Sequence, residues 1–325
     1  MEEFRLIEFH HARDFGKKIN ATFEFVKQNF LPLFKSILMI AGPAVFLGSL
    51  FMGSFLTDYF SVIFKSNGNS SEMIKYVSSS SFWVQISLMY LFLALSFVIT
   101  IATINSYMLI YYQKKTNKIE LSEVWSKARE ILWKYLGSLL LLILCMILAV
   151  FAVVVVSIVL QKISAVAVVF FVIASIIGFI YVMVGISLAF FIQIFEERSF
   201  FEAASRSLQL IGGKWWSTLG ISLILSLIGG AISYIFIIPY YIYIAVSAAH
   251  NVNSGLMEVS ATFKTTSYIF LTVYYMAQML LYVLPHVGLA FQYFNLVELK
   301  EARGLMSDIE NFGKPAPNSR PEELH

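Results

Sequence analysis

Six apolar runs, each long enough to cross a bilayer as a helix, decide what this chain can become: about 33–56, 83–112, 138–160, 165–194, 218–246 and 267–295. About 20 helical residues traverse the hydrocarbon, and inside it only helices or closed barrels satisfy their own backbone groups. A barrel would show short segments of alternating hydrophobicity, and the sequence has none. The expected fold class is an all-α polytopic membrane protein with six transmembrane helices. Composition agrees, with 58% of residues hydrophobic and 13% charged, against roughly one quarter charged in soluble domains. The net charge of +3 is small and carries no nucleic-acid signature. Cys145 is the single cysteine, which excludes an intramolecular disulfide and a cysteine-based metal site; inside an apolar run it reads as a buried, inert thiol. No cleavable leader is expected, because the first 30 residues are polar and charged and the first apolar run is full length.

Three polar segments between these runs have helical periodicity. In 14–30, Phe15, Ile19, Phe23, Val26 and Phe30 are spaced by four, four, three and four, with Lys17, Lys18, Glu24 and Lys27 away from that face. In 121–136 the stripe is Leu121, Val124/Trp125, Ala128, Leu132 and Tyr135, and the wet side is Lys127, Arg129, Glu130 and Lys134. In 199–213 a capping-box pattern, Ser199-Phe200-Phe201-Glu202, opens a stripe of Phe200, Ala204, Leu208, Ile211 and Trp215, with a turn at Gly212-Gly213. Each segment precedes an apolar hairpin, so each is expected to lie on the membrane and turn into the next span. The chain then reads as three amphipathic-helix-plus-hairpin repeats. A unit of two spans keeps its orientation, so the copies are parallel. One membrane domain is expected over 1–312, with 57–82 and 247–266 as outer loops. The chain should turn polar at Leu296, and 313–325 should be a disordered tail.

Orientation follows from the basic residues. Nineteen of the 23 Lys and Arg lie before or at the start of the first span, between the second and third, between the fourth and fifth, or after the sixth. Lys65, Lys75, Lys162 and Lys264 lie on the other side. Both termini are therefore expected in the cytoplasm.

Lipid-facing or partner-facing candidates on the amphipathic segments are Phe15, Phe23, Trp125, Trp133, Phe200, Phe201, Trp215 and Trp216. Their cations suit anionic lipid; the plainer reading makes these helices elbows that set the angle of the next span. Within the spans as bounded above there is no Asp, Glu or Arg, and Lys35 is the only Lys. Ion-coupled carriers usually keep an ionisable group at depth. The larger polar groups are Gln85, Asn105, Gln193, Gln278, His286 and Gln292. His286 follows Pro285, which frees backbone carbonyls, so Asn105, His286 and Gln278 are candidates to line a cavity. The competing reading is interhelical hydrogen bonding.

No catalytic, cofactor-binding or metal-binding residues are expected. Asp14-Phe15-Gly16 copies a kinase motif in letters only, and His10-His11 has no further ligands at useful spacing. Asn69-Ser70-Ser71 is a glycosylation sequon too short to be specific. Glu196, Glu197 and Glu202 are read as a charged surface loop with no histidine beside it.

RDFGKKINATFEFVKQNF (13–30), SLQLIGGKWWSTLG (207–220) and LKEARGLMSDIENFG in the tail resemble uncharacterised six-span proteins of Bacteroidota. Those are similar in turn to the membrane domain attached to some bacterial glycerophosphodiester phosphodiesterases. In the fused enzymes the activity belongs to a soluble domain that has no counterpart in this sequence, so no active-site residue carries over. The resemblance implies a bacterial inner-membrane protein. The expected function is a non-catalytic scaffold or accessory protein that binds a protein partner or lipid through its cytoplasmic amphipathic helices. The alternative is a carrier for a lipid-like or neutral solute in a groove between the repeats. A lipid-modifying enzyme ranks third. The partners expected are the bilayer and a membrane protein or bound lipid, with no nucleic acid and no cofactor.

Overall fold

Backbone groups in hydrocarbon have no water to bond, and the chain answers with helices. A computed structural model describes residues 6–66, 70–254 and 261–310, and among them there are thirteen helices and no strand. In order these are α1 (Phe15–Gln28), α2 (Phe30–Ile40), α3 (Gly42–Ser66), α4 (Ser70–Val77), α5 (Ser80–Lys114), α6 (Leu121–Gln161) and α7 (Ala165–Gly185). There follow α8 (Ala189–Phe195), α9 (Phe200–Ile211), α10 (Trp215–Ser254), α11 (Ala261–Leu281), α12 (Val283–Glu301) and α13 (Arg303–Glu310). Six stretches are long and apolar enough to cross a membrane: Gly42–Ile63, Ser80–Lys114, Leu121–Gln161, Ala165–Phe195, Trp215–Ser247 and Ala261–Glu301. The protein is a six-span, all-α membrane protein. With an even number of spans, α1 and α13 share one side, called the terminal end below.

The core sits at that end. Phe25 of α1, Leu33 and Ile37 of α2, Tyr107 and Tyr111 of α5, Phe191 of α8 and Phe291 and Phe294 of α12 form one cluster. Every residue of α12 from Val283 to Val297 is buried, which makes this helix the central post. Towards the other end, α3 packs against α5 and α11, and α10 packs against α11.

Several boundaries differ from the sequence expectation, each for a local reason. The first span was expected from residue 33 with a kink at Pro43. The helix instead breaks at Ala41, between α2 and α3, because a proline within the first turn of α3 cannot continue the hydrogen bonding of α2. Most of the described part of 57–82 is helical rather than loop, with α3 running to Ser66, α4 spanning Ser70–Val77 and α5 starting at Ser80, and this places Asp58 in the first spanning helix. Asp58 accepts from Gln85 Nε2 (2.9 Å) and pairs with Lys264 (3.3 Å), so the spans are not free of carboxylates. In the outer stretch 247–266, α10 runs on to Ser254 and α11 starts at Ala261. Leu296 and Val297 are core rather than tail. Asn69 and the tail 313–325 lie outside the described residues.

The largest correction concerns the second amphipathic segment. It makes no elbow: 121–136 and the third span are one helix, α6, of 41 residues. At about 1.5 Å per residue it is about 60 Å long, twice the hydrocarbon thickness. Gly137 stays helical, since a lone glycine costs only about 1 kcal/mol and breaks nothing by itself. The α6–α7 hairpin is also the most apolar part of the chain, and the most apolar windows of its two spans bury nothing inside the protein. Cys145 sits on it and is exposed, not buried.

The fourth span breaks between α7 and α8. Ser207 of α9 stitches that break: its hydroxyl donates to Gly185 O (2.6 Å) and accepts from Leu188 N (3.3 Å). A side chain at Gly185 would meet Leu208 Cδ2 at 2.5 Å, so α9 packs closely against this break and the exposed Leu208 side chain would have to swing aside. The turn expected after α9 forms as written, with Gly213 in the left-handed region at φ 77. The Ser199/Glu202 capping box forms too.

Candidate functional site

At the terminal end the three amphipathic segments each present two faces. The protein-facing side of α1 is Lys18, Ala21, Thr22, Phe25 and Val26. That of the first turns of α6 is Val124, Ala128, Ile131 and Tyr135, and that of α9 is Ala203, Ser207, Leu210 and Ile211. Small residues mark these sides because they let backbones approach. The single stripes read from sequence are therefore divided. Val26, Val124, Ala128, Tyr135 and Ile211 face inward, while Phe15, Phe23, Phe30, Trp125 and Leu208 are exposed. A helix at a membrane surface touches protein, lipid and water, and a two-state hydrophobic pattern cannot separate the first two.

The outward face is aromatic. Trp216 is 79% exposed, Trp133 77% and Phe201 61%. Phe200 and Trp215 are half-buried. The indole of Trp215 stacks on Tyr181 at 5.5 Å and donates to Tyr181 O (3.1 Å), which seats the start of α10 against α7. Exposed indoles and phenyl rings of this kind collect at the headgroup level.

Within the bundle the polar residues act as fasteners. Asn105 Nδ2 donates to Tyr135 Oη (2.8 Å), whose own proton goes to Phe190 O (2.6 Å). Asn105 Oδ1 lies 2.7 Å from His286 Nε2, and an amide oxygen only accepts, so the proton sits on Nε2. The imidazole is packed between the rings of Phe191 (4.6 Å) and Tyr282 (5.8 Å). This chain ties α5, α6, α8 and α12 together. Gln193 bonds Ser138 (2.7 Å), joining α8 to α6, and Gln292 bonds Thr218 (2.9 Å), joining α12 to α10. Asn105 and His286 thus meet as a pair, whereas Gln278 is exposed and takes no part.

Glu196 does sit in the loop between α8 and α9, but its side chain is turned inward and is 6% exposed. It accepts from Arg198 Nε (3.0 Å), Arg206 Nε (3.3 Å) and Tyr293 Oη (3.2 Å), and Arg303 Nη2 stands 3.7 Å away. Glu301 pairs with Arg206 and Arg303 from the other side. The α8–α9 corner is thereby bound to α12 and α13. The partners are scattered over 108 residues of chain, so no local pattern announces them.

Two further features escaped the sequence reading. The segment 6–13 docks without forming a helix or strand, with Phe9 stacked on Tyr111 (5.6 Å) and Tyr112 (5.7 Å) and packed against Phe294 (4.8 Å). Ile7 N donates to Tyr111 Oη (3.0 Å) and Arg13 N to Asn295 Oδ1 (2.7 Å). Clefts of about 410 and 520 Å³ flank it. The alternation of Ile7 and Phe9 was the available signal. His10 lies here beside Phe294 and 4.0 Å from Glu298, with burial lowering its pKa.

The second is Lys18, expected on the wet side and found 4% exposed. Its ammonium donates to Gln292 Oε1 (2.7 Å) and Ser217 Oγ (3.1 Å). Desolvation, with Lys214 adding to it and Asp14 opposing, lowers its pKa from 10.5 to about 8. The unfolded chain then holds this proton to higher pH than the folded one, so stability rises as pH climbs from about 8 towards 10.5. In melts in one detergent between pH 7.5 and 10, the wild type should gain on a Lys18→Met variant's pH trend. Parallel trends would refute the assignment.

No curated protein and no solved structure matches the chain. One family model does, over residues 57–287. That stretch runs from within α3 to the start of α12 and includes Asn105, Tyr135, Glu196, Ser207 and His286, the residues that fasten the bundle. On that match the chain belongs to the family of the domain of unknown function DUF8558.

Proposed function

We propose that this protein is a non-catalytic scaffold or accessory protein of a bacterial inner membrane. Its amphipathic elements engage the cytoplasmic interface and whatever lipid or protein partner gathers there. The observation that carries the reading is the outward aromatic face of α1, α6 and α9, left exposed after their other faces are buried in the bundle. The basic residues concentrated on the same side support a cytoplasmic placement. The likeness to the membrane domain found beside phosphodiesterases belongs to the same reading, with catalysis left to another polypeptide. Polar groups at depth that bond to one another across helices, as Asn105, His286, Gln193 and Gln292 do, fit a fastened bundle better than an ion pathway.

Single cysteines test the interfacial seat, in a Cys145→Ala background because that thiol is itself exposed. Phe201→Cys and Trp216→Cys should resist an aqueous thiol reagent in vesicles. Gln209→Cys and Lys127→Cys should react. All four reacting alike would sink the proposal.

A carrier for a lipid-like solute is the second reading. It draws on the α6–α7 hairpin, whose most apolar windows contain no buried residue and so offer apolar surface to amphiphiles. Mass spectrometry of the protein purified from its own membrane separates the two. A stoichiometric protein partner favours the scaffold, and a bound lipid or metabolite alone favours the carrier.

A further inference from the structure

Near the start of α10 the protein gathers positive charge, and among the described residues no carboxylate forms an ion pair with it. The helix begins at Trp215 and is 40 residues long. The amides of Trp215, Trp216 and Ser217 are the first three of that helix and lack intrahelical acceptors, so its positive pole is presented there. Lys214 stands immediately before them and is exposed. Lys18 arrives at the same turn from α1, with its ammonium 3.1 Å from Ser217 Oγ, 2.7 Å from Gln292 Oε1 and 5.9 Å from the centre of the Phe15 ring. All three neighbours are neutral. Asp14, the acid that acts on Lys18 from a distance, is already engaged: it accepts from Lys17 N (2.8 Å) and pairs with Lys17 Nζ (3.5 Å).

Two of the three N–H groups on Lys18 have acceptors, and the third has none among the described residues. Burying a cation without a counter-charge is costly, and placing it beside a second cation and a helix N-terminus adds to the cost. An anion in contact with these groups reverses all three effects. The indoles of Trp215 and Trp216 set the level of the turn, and that is the depth at which phosphodiesters of a bilayer lie.

We propose that Lys18, Lys214 and the first turn of α10 bind the phosphate group of an anionic lipid. The proposal rests on the interfacial seat argued above and names its ligand. A lipid phosphodiester and a free phosphate ion share this chemistry; the placement beside two interfacial tryptophans favours the lipid.

The test is a thermal melt of the full-length chain in a neutral detergent. It is titrated with dioleoyl phosphatidylglycerol, with dioleoyl phosphatidylcholine, and with inorganic phosphate. The anionic lipid should raise the melting midpoint at lower mole fraction than the neutral one. Lys18→Met and Lys214→Gln should each weaken that effect roughly fivefold. Lys214 is exposed, so its variant reports on binding even if the Lys18 variant folds poorly. Lys17→Gln removes the same charge one residue away, at a side chain pointing to solvent, and should leave the preference intact.

Equal weakening by Lys17→Gln and Lys214→Gln would mean diffuse attraction and overturn the site. So would the absence of any preference for the anionic lipid. If inorganic phosphate alone reproduced the shift with the same dependence on both lysines, the lipid assignment would be overturned. Protection of Phe201→Cys tests the seat separately. Protection without lipid preference rejects this inference alone, and loss of both rejects the seat as well.

Discussion

Glu196→Ala is expected to destabilise the folded chain by roughly 3 kcal/mol, the low end of the range for removing one partner of a buried ion pair. The low end applies because Arg198 and Arg303 are 44% and 43% exposed and keep part of their hydration. Arg206, at 14%, does not, and it is left with Glu301 alone. Tyr293 also loses the acceptor for its hydroxyl. Since Glu196 ties the α8–α9 corner to Tyr293 of α12 and Arg303 of α13, that corner should loosen first. Hydrogen exchange should rise at 196–211 before it rises in α5. Glu196→Gln keeps the volume and one acceptor and should fall between wild type and the alanine variant. An alanine variant that melts with the wild type would show that the network is solvated and holds nothing.

His286→Ala should cost a similar amount, roughly 3 kcal/mol, for a different reason. Hydrogen bonds between membrane helices average about 0.6 kcal/mol in measured couplings, so the bond to Asn105 is the smaller part. The larger part is the void left between Phe191 and Tyr282 at the buried heart of the bundle, where loss of a large side chain costs several kcal/mol. A His286→Met variant refills most of that space and should recover most of the stability. Unfolding midpoints of wild type, His286→Ala, Asn105→Ala and the double variant isolate the pair term. A coupling above about 2 kcal/mol would reverse the ranking of packing over hydrogen bonding.

Legibility in the sequence tracked how local each determinant is. The six spans were plain because hydrophobic length is a property of consecutive residues. The Ser199/Glu202 box and the turn at Gly213 were plain because a cap and a left-handed glycine are set within four residues. The break at Ala41 and the continuity of α6 were misjudged, since proline position and lone glycine weigh differently from a change in polarity. Lys18 and Glu196 look solvated in sequence, and their burial depends on Ser217, Gln292, Tyr293 and Arg303, each far away along the chain. The same holds for the amphipathic stripes. Periodicity says that a face is apolar, and only the partners say whether protein or lipid covers it.

The α6–α7 hairpin has a consequence for how the sequence can drift. Over its apolar windows no side chain there is buried by the rest of the chain, so Val, Ile, Leu and Phe on it answer to solubility in hydrocarbon and not to shape. Interchange among them is the lipid-facing equivalent of exchanging Glu for Gln on a water-soluble surface. A stretch that looks, by composition, like the most constrained core of the protein is in physical terms its freest exterior.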